Sequence, residues 1–334
     1  MKRRIQLFSV SGLAANIPWF ATGADFETCY LGTCDPDHEL VTRSAPYAIR
    51  FGDERLLSVV YDSREELLEA TFVYQHQRQS AKTLVSIPYE LLPDVAWDVT
   101  PATAAPCLLF STGRCGSTLL SKLMGAMGLP SLSEPDVLTQ YSLALPVASE
   151  QPGFDHISEV LGFVIVGLLN AVGSRSGVLK FRAQTNYMAD QLMASLPKAH
   201  GLMLVRDIEP WASSLYRTFS FSPEVIADTL AAAHSAVHAC SAIGRPLEIV
   251  RYEALCERPV EVLGEIGRRL GLKSPRIDEE RVRAVMSLDS QGDTPLGREA
   301  KRGIEVPEGF LQQFHHQWAS RKAHLEGEGV DFLF

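Results

Sequence analysis

CLLFSTGRCGSTLLSKLM, residues 107–124, decides the fold. A short apolar run, Cys107–Phe110, passes into a polar turn punctuated by Gly113 and Gly116. Leu119, Leu120, Leu123, Met124 and Met127 then recur at helical spacing, and Gly128 with Pro130 stops the helix. The stretch therefore reads as strand, loop and helix. Backbone N–H groups at such a helix start lack intrahelical partners, and the helix dipole adds positive potential there. Gly113 and Gly116 let the backbone come close to a ligand, Ser117 and Thr118 add hydroxyls, and Arg114 adds a fixed charge. Together these describe an anion cradle; the plain alternative is an N-capped helix after a flexible turn with a solvated arginine. A nucleoside triphosphate loop would need GxxxxGK[ST]. Here Lys122 falls on the helix instead, and no acidic strand end follows that would hold magnesium.

The same pattern recurs downstream. The runs GVLKF, GLMLV and LEIV are short and apolar, and most lead into a helix-period segment. After GLMLV, Pro210 suits a first helical position, with Trp211 and Leu215 on one side. After LEIV, Pro259 opens a helix carrying Leu263, Ile266 and Leu270, capped by Gly271. Alternating apolar strands and helices predict an α/β fold, a parallel sheet flanked by helices on both faces. Ligands in such sheets bind at the carboxyl ends of the strands. Those ends carry Lys180 in GVLKFR, Arg206 in GLMLVRD, and Arg251, Tyr252 and Glu253 in LEIVRYE. Ser214 lies eight positions past Arg206, on the predicted helix. An arginine fork at a strand end and a helix hydroxyl can converge on one phosphate dianion. A pairing of Arg206 with Asp207 is the plain alternative, and Tyr252 could equally serve the core.

The 334-residue length predicts more than one small core. LPDVAWDVTPATAAP, residues 92–106, holds three prolines and reads as a connection. It divides an N-terminal accessory region, 1–100, from a main domain, 101–334. In the accessory region YAIRF and RLLSVVY read as strands and REELLEATFVY as a helix, a small α+β unit. VLGFVIVGLL, residues 160–169, is too short to span a bilayer and reads as a buried helix. The net charge of −9 argues against a general nucleic-acid or anionic-membrane binder. Six cysteines without a CxxC pair argue against a zinc site or disulfide framework and for a reduced, cytoplasmic setting. The basic start MKRR precedes an apolar stretch interrupted by serines, glycines and an asparagine, a poor secretory signal. His234 and His238 stand at i, i+4 with no third metal ligand nearby in sequence.

STGRCGSTLL resembles the 5′-phosphosulfate loop of sulfotransferases that use 3′-phosphoadenosine 5′-phosphosulfate, PAPS. The arginine at 114 is similar to the tyrosylprotein and bacterial branches, and Cys115 stands where serine is usual. The resemblance implies a P-loop-like sulfotransferase fold. It implies a cofactor site of Gly113, Arg114, Cys115, Gly116, Ser117 and Thr118, with Arg206 and Ser214 on the 3′-phosphate and Tyr252 framing the nucleotide. The late segment GREAKRGIEVPEG resembles the family's closing basic segment, with Lys301, Arg302 and Gly303 the nearest match and Arg298 a competitor. It also implies metal-independent in-line transfer of a sulfuryl group from PAPS to a hydroxyl or amine, leaving PAP. Arg114 would stabilise the leaving phosphate and Lys180, like the family's strand-end lysine, the transferred group. Glu134, twenty positions past Arg114 in GLPSLSEPDVL, would be the general base, with Asp136 as runner-up. Capping of the next turn, or pairing with Arg114, is the alternative for Glu134. Small-molecule, glycan or peptide acceptors are expected, with a homo-oligomer among the expected assemblies. A P-loop kinase and a non-catalytic nucleotide-binding protein are the rival readings.

Overall fold

The computed structural model describes residues 4–15, 19–148, 157–272, 275–288 and 303–327. In chain order its strands are β1 (Ile5–Leu13), β2 (Phe26–Cys34), β3 (Ser44–Arg50), β4 (Arg55–Val60), β5 (Thr83–Pro88), β6 (Cys107–Ser111), β7 (Ser131–Ser133), β8 (Val178–Lys180), β9 (His200–Val205) and β10 (Glu248–Arg251). The chain divides into two compact units. The first is Met1–Pro106, Pro130–Phe181 and Gln191–Ala199; the second is Cys107–Leu129, Arg182–Asp190 and His200–Phe334.

The first unit carries an antiparallel sheet of order β2-β1-β5-β4-β3. Strands β3 and β4 are buried along nearly their whole length, as YAIRF and RLLSVVY predict. β1 is mostly half-buried and β2 largely exposed, and neither carries a clean alternation. The helices Val137–Ala148 and Ile157–Val172 lie against β3. Gln140 covers the β3 edge as a strand would: its amide accepts from Ile49 N–H and donates to Ile49 C=O, both at 2.9 Å. Val160, Leu161, Val164, Ile165, Leu168 and Leu169 are buried, so the 160–169 run is the expected core helix. The helix expected over REELLEATFVY is two pieces, Arg64–Glu69 and Val73–Ser80. It breaks because Ala70 and Phe72 take extended backbone angles. The 92–106 connection is packed rather than loose, with Leu92, Val95, Val99 and Ala104 buried. A buried polar knot ties this unit together: Arg78 donates to Asp25 at 2.8 Å, and the Tyr47 hydroxyl donates to the same carboxylate. Burial and the Asp25 bond push the Tyr47 phenol well above its ordinary range.

β7 pairs parallel with β8 in the first unit; β6, β9 and β10 pair parallel in the second. The five strands form one parallel sheet of order β10-β9-β6-β8-β7, flanked by helices. Its strands β6, β8, β9 and β10 are the four apolar runs expected, and β7 is an addition of three residues. In the second unit the helices Ile208–Phe219, Pro223–Ala242 and Phe310–Gly327 pack on one another. Phe314 meets Trp211 edge-on at 6.3 Å, and His234 stacks on Trp318 at 5.2 Å. Among the described residues no helix is long and apolar enough to cross a membrane, and no group of three or more His, Cys, Asp or Glu converges as a metal site.

All six cysteines are free thiols. Cys29 is exposed, whereas Cys107, Cys115 and Cys240 are buried. Burial pushes Cys107 up to about 12 and Cys240 up to about 12, which removes their reactive thiolate near neutrality. Brief iodoacetamide treatment at pH 8, followed by peptide mass spectrometry, is expected to label Cys29 first. Cys107, Cys115 and Cys240 should react only after denaturation.

Candidate functional site

The loop after β6 takes its shape from three left-handed residues: Gly113 at φ 70°, Arg114 at φ 53° and Gly116 at φ 90°. Backbone N–H groups in a turn of this kind can line a concavity that suits an anion. The helix that follows, Ser117–Met124, starts at Gly116, with Ser117 and Thr118 almost fully buried in its first turn. Lys122 is exposed on that helix, so it does not serve the loop as a Walker lysine would.

Three side chains hold this loop. Cys115 Sγ donates to Leu204 C=O on β9 at 3.3 Å, and Trp211 Nε1 donates to Gly113 C=O at 2.7 Å. Asn186 Nδ2 donates to Ser111 C=O at 3.1 Å. Cys115 is thus a buried latch to the neighbouring strand. Glycine is obligatory at 116, because a Cβ there would overlap Tyr252 Cδ2 and Cε2. The Tyr252 ring lies against the loop on one side. On another, the Arg206 guanidinium carbon stands 4.7 Å from its centroid, a cation–π contact.

Arg206 follows β9 directly, and its buried Nε has no hydrogen-bond partner among the described residues. A buried guanidinium N–H without an acceptor is costly in a finished structure, so Arg206 Nε has a donor to offer to an ordered water or a bound anion. Glu253 Oε1 accepts from the Asp207 N–H at 3.1 Å and fixes the backbone next to Arg206. Ser214 sits on the helix Ile208–Phe219, one turn after Trp211, and is half-buried. Gly113, Arg114, Cys115, Gly116, Ser117, Thr118, Arg206, Ser214 and Tyr252 therefore all belong to the second unit. Lys301 and Arg302 lie outside the described residues, and Gly303 is exposed at φ 91°.

The other two candidates meet in the first unit. β7 and β8 run parallel with Ser133 opposite Lys180. Glu134 N–H donates to Lys180 C=O at 2.7 Å, and the Lys180 ammonium donates to Glu134 Oε1 in a close ion pair. The Lys180 side chain is only 3% exposed and that of Glu134 15%. The ammonium also lies 5.8 Å from the Phe72 ring centroid. Glu134 is left-handed, φ 56°, which turns its side chain back beside the strand ends. Asp136, the runner-up base, is occupied structurally: its Oδ2 accepts from Ala21 N–H at 2.6 Å.

Sequence reasoning missed the loop-holding roles of Trp211 and Asn186. Both make single side-chain bonds to backbone carbonyls, which have no sequence signature. It also missed the pairing of Lys180 with Glu134, although both lie at ends of adjacent strands.

No protein-family model matches the chain, and no curated protein matches it. Solved structures similar to it include the sulfotransferase domain of the Synechococcus PCC 7002 olefin synthase. That domain is 17% identical, with 66% of this chain and 95% of that one covered and a TM-score of 0.40. A sulfotransferase from Mycobacterium tuberculosis H37Rv is 16% identical over 70% of this chain and 79% of that one, TM-score 0.36. Retinol dehydratase, solved with androsterone and the inactive cofactor PAP, is 10% identical over 84% and 98%, TM-score 0.34.

Two stability measurements test the geometry. Gly116→Ala adds a Cβ against the Tyr252 ring at a left-handed position; it is expected to cost at least ~1–3 kcal/mol in urea unfolding. Lys180→Met strands a largely buried carboxylate and is expected to cost ~3–5 kcal/mol, at least half of it recovered when Glu134→Gln is added.

Proposed function

We propose that the chain transfers a sulfuryl group from PAPS to a hydroxyl or amine acceptor, without a metal. One observation carries this reading: the Tyr252 ring touches both Gly116 of the anion loop and the guanidinium of Arg206. Two anion-binding clusters, far apart in sequence, thus share one wall inside one unit. A nucleotide with a phosphate at each end of its ribose is the ligand chemistry that fits two such clusters. The residues present suit it: the missing side chain at Gly116 lets the Tyr252 ring close on the loop, and Arg206 Nε offers an unused buried donor.

When bound, PAPS supplies the sulfuryl group and a 5′-phosphate leaving group. The loop N–H groups, the Ser117 and Thr118 hydroxyls and Arg114 would hold that 5′-phosphate and neutralise the charge it gains. Arg206 and Ser214 would hold the 3′-phosphate, the arginine through a planar fork suited to a dianion. Tyr252 would frame the nucleotide, and Lys301, Arg302 and Gly303 would close over its 3′ end. Glu134 would accept the proton of the attacking hydroxyl or amine. Lys180 would direct its ammonium to the transferred oxygens. Their ion pair sets a condition on this chemistry: Lys180 must loosen its hold for Glu134 to take a proton. The base follows the tyrosylprotein-type assignment within the sulfotransferase resemblance.

A P-loop kinase is disfavoured by Lys122, which is exposed on the helix rather than beside the loop. Thermal-shift titration discriminates the two directly. Adenosine 3′,5′-bisphosphate without magnesium is expected to raise Tm more than ATP with magnesium or adenosine 5′-monophosphate. Arg206→Ala should erase that preference; equal stabilisation by all three nucleotides would refute the cofactor assignment. In a turnover assay with PAPS, Glu134→Gln is expected to lower kcat by ~10²–10⁴ with bisphosphate affinity within about twofold of wild type. An unchanged rate would favour a different base.

A further inference from the structure

Trp211 belongs to neither phosphate cluster as read from sequence, yet it grips the loop. Its indole is fully buried against Phe314, and Nε1 donates to the Gly113 carbonyl at 2.7 Å. The peptide it holds joins two left-handed residues, Gly113 at φ 70° and Arg114 at φ 53°. In a planar trans peptide the C=O and N–H point in opposite directions. Fixing the Gly113 carbonyl on Trp211 therefore fixes the Arg114 N–H to point the other way.

This peptide has a reason to turn over. A flip rotates Arg114 φ by half a turn, from 53° to −127° (53 − 180), out of the positive-φ range that is unfavourable for a residue with a Cβ. Glycine at 113 accommodates the accompanying change in ψ at little cost. After the flip a carbonyl oxygen would stand where the N–H had pointed, and a carbonyl repels an anion. The indole bond opposes that relaxation.

We propose that Trp211 is a positioning residue for the anion loop. Its indole N–H pins the Gly113–Arg114 peptide so that the Arg114 N–H, and not the Gly113 carbonyl, faces the 5′-phosphate. This rests on the two-phosphate reading of the site. Because Trp211 lies on the same helix as Ser214, the helix that serves the 3′ end also sets the donor geometry at the 5′ end.

Trp211→Phe keeps an aromatic ring beside Phe314 and deletes only the N–H donor. Calorimetric titration with adenosine 3′,5′-bisphosphate and with adenosine 3′-monophosphate gives the affinity gained from the 5′-phosphate. In Trp211→Phe that gain is expected to fall about tenfold, the scale of one hydrogen bond to a charged group. Affinity for the 3′-monophosphate should stay within about twofold. An unchanged gain overturns the proposal, and so does an equal fall in both affinities, which is the mark of a merely structural role. Failure of the parent reading is separate: wild type would then gain nothing from the 5′-phosphate, or Arg206→Ala would leave 3′-monophosphate affinity unchanged. If Trp211→Phe does not fold, wild type carries the test by amide NMR. The Arg114 amide proton is expected to move downfield with the bisphosphate and not with the 3′-monophosphate; a static resonance overturns the proposal.

Discussion

The Tyr252 ring occupies space that any side chain at position 116 would fill, and its face receives the Arg206 guanidinium. Everything proposed for the site depends on that three-part contact. It makes the loop after β6 and the end of β9 parts of one surface, although they lie about ninety residues apart in the chain. The cost is conformational entropy, since glycine loses more backbone freedom on folding than any other residue. In return the backbone at 116 can adopt φ 90° and an aromatic wall can close on it. The latches of Cys115 and Trp211 serve the same end, tying the loop to β9 and to the helix Ile208–Phe219.

Backbone strain and buried charge occur at residues proposed for the chemistry, as they also do at Glu54, Ser220 and Asp25. Arg114 and Glu134 are both left-handed without being glycine. Each such position costs on the order of 1–3 kcal/mol and persists only where surrounding bonds over-determine it. For Arg114 those include the indole bond to the preceding carbonyl; for Glu134 they are the backbone bond to Lys180 and the ion pair with its ammonium. An ion pair this buried adds little net stability by itself, and losing one member is expensive. Such a pair is better suited to holding its two side chains in register than to holding the fold together.

The parallel sheet was legible in the sequence because four of its strands are built on short apolar runs that end in polar or charged residues. β6 and β9 are continuous buried runs and could hardly be mistaken. The strand-to-helix turn after β6 was legible for a related reason, since Gly113 and Gly116 punctuate it between an apolar run and a helical stripe. β1 and β2 were not, because a half-exposed edge ribbon such as FETCYLGTC carries neither period. β7 escaped because three residues give no periodicity at all. The break in the predicted 64–74 helix depends on packing around Ala70 and Phe72, which propensity does not report. The strand-end positions of Lys180 and Arg206 could be picked out from where the apolar runs stop. Trp211, read only as an apolar face of its helix, gave no hint that its indole N–H reaches a loop carbonyl.

The central claim is that separate donor clusters grip opposite ends of one doubly phosphorylated adenosine without a cation. Phosphorus NMR of adenosine 3′,5′-bisphosphate, titrated with the protein in the presence of a chelator, observes each phosphate on its own. Both resonances are expected to shift and broaden together at the same protein concentration. Movement of only one resonance, or movement that appears only after magnesium is added, would contradict the account.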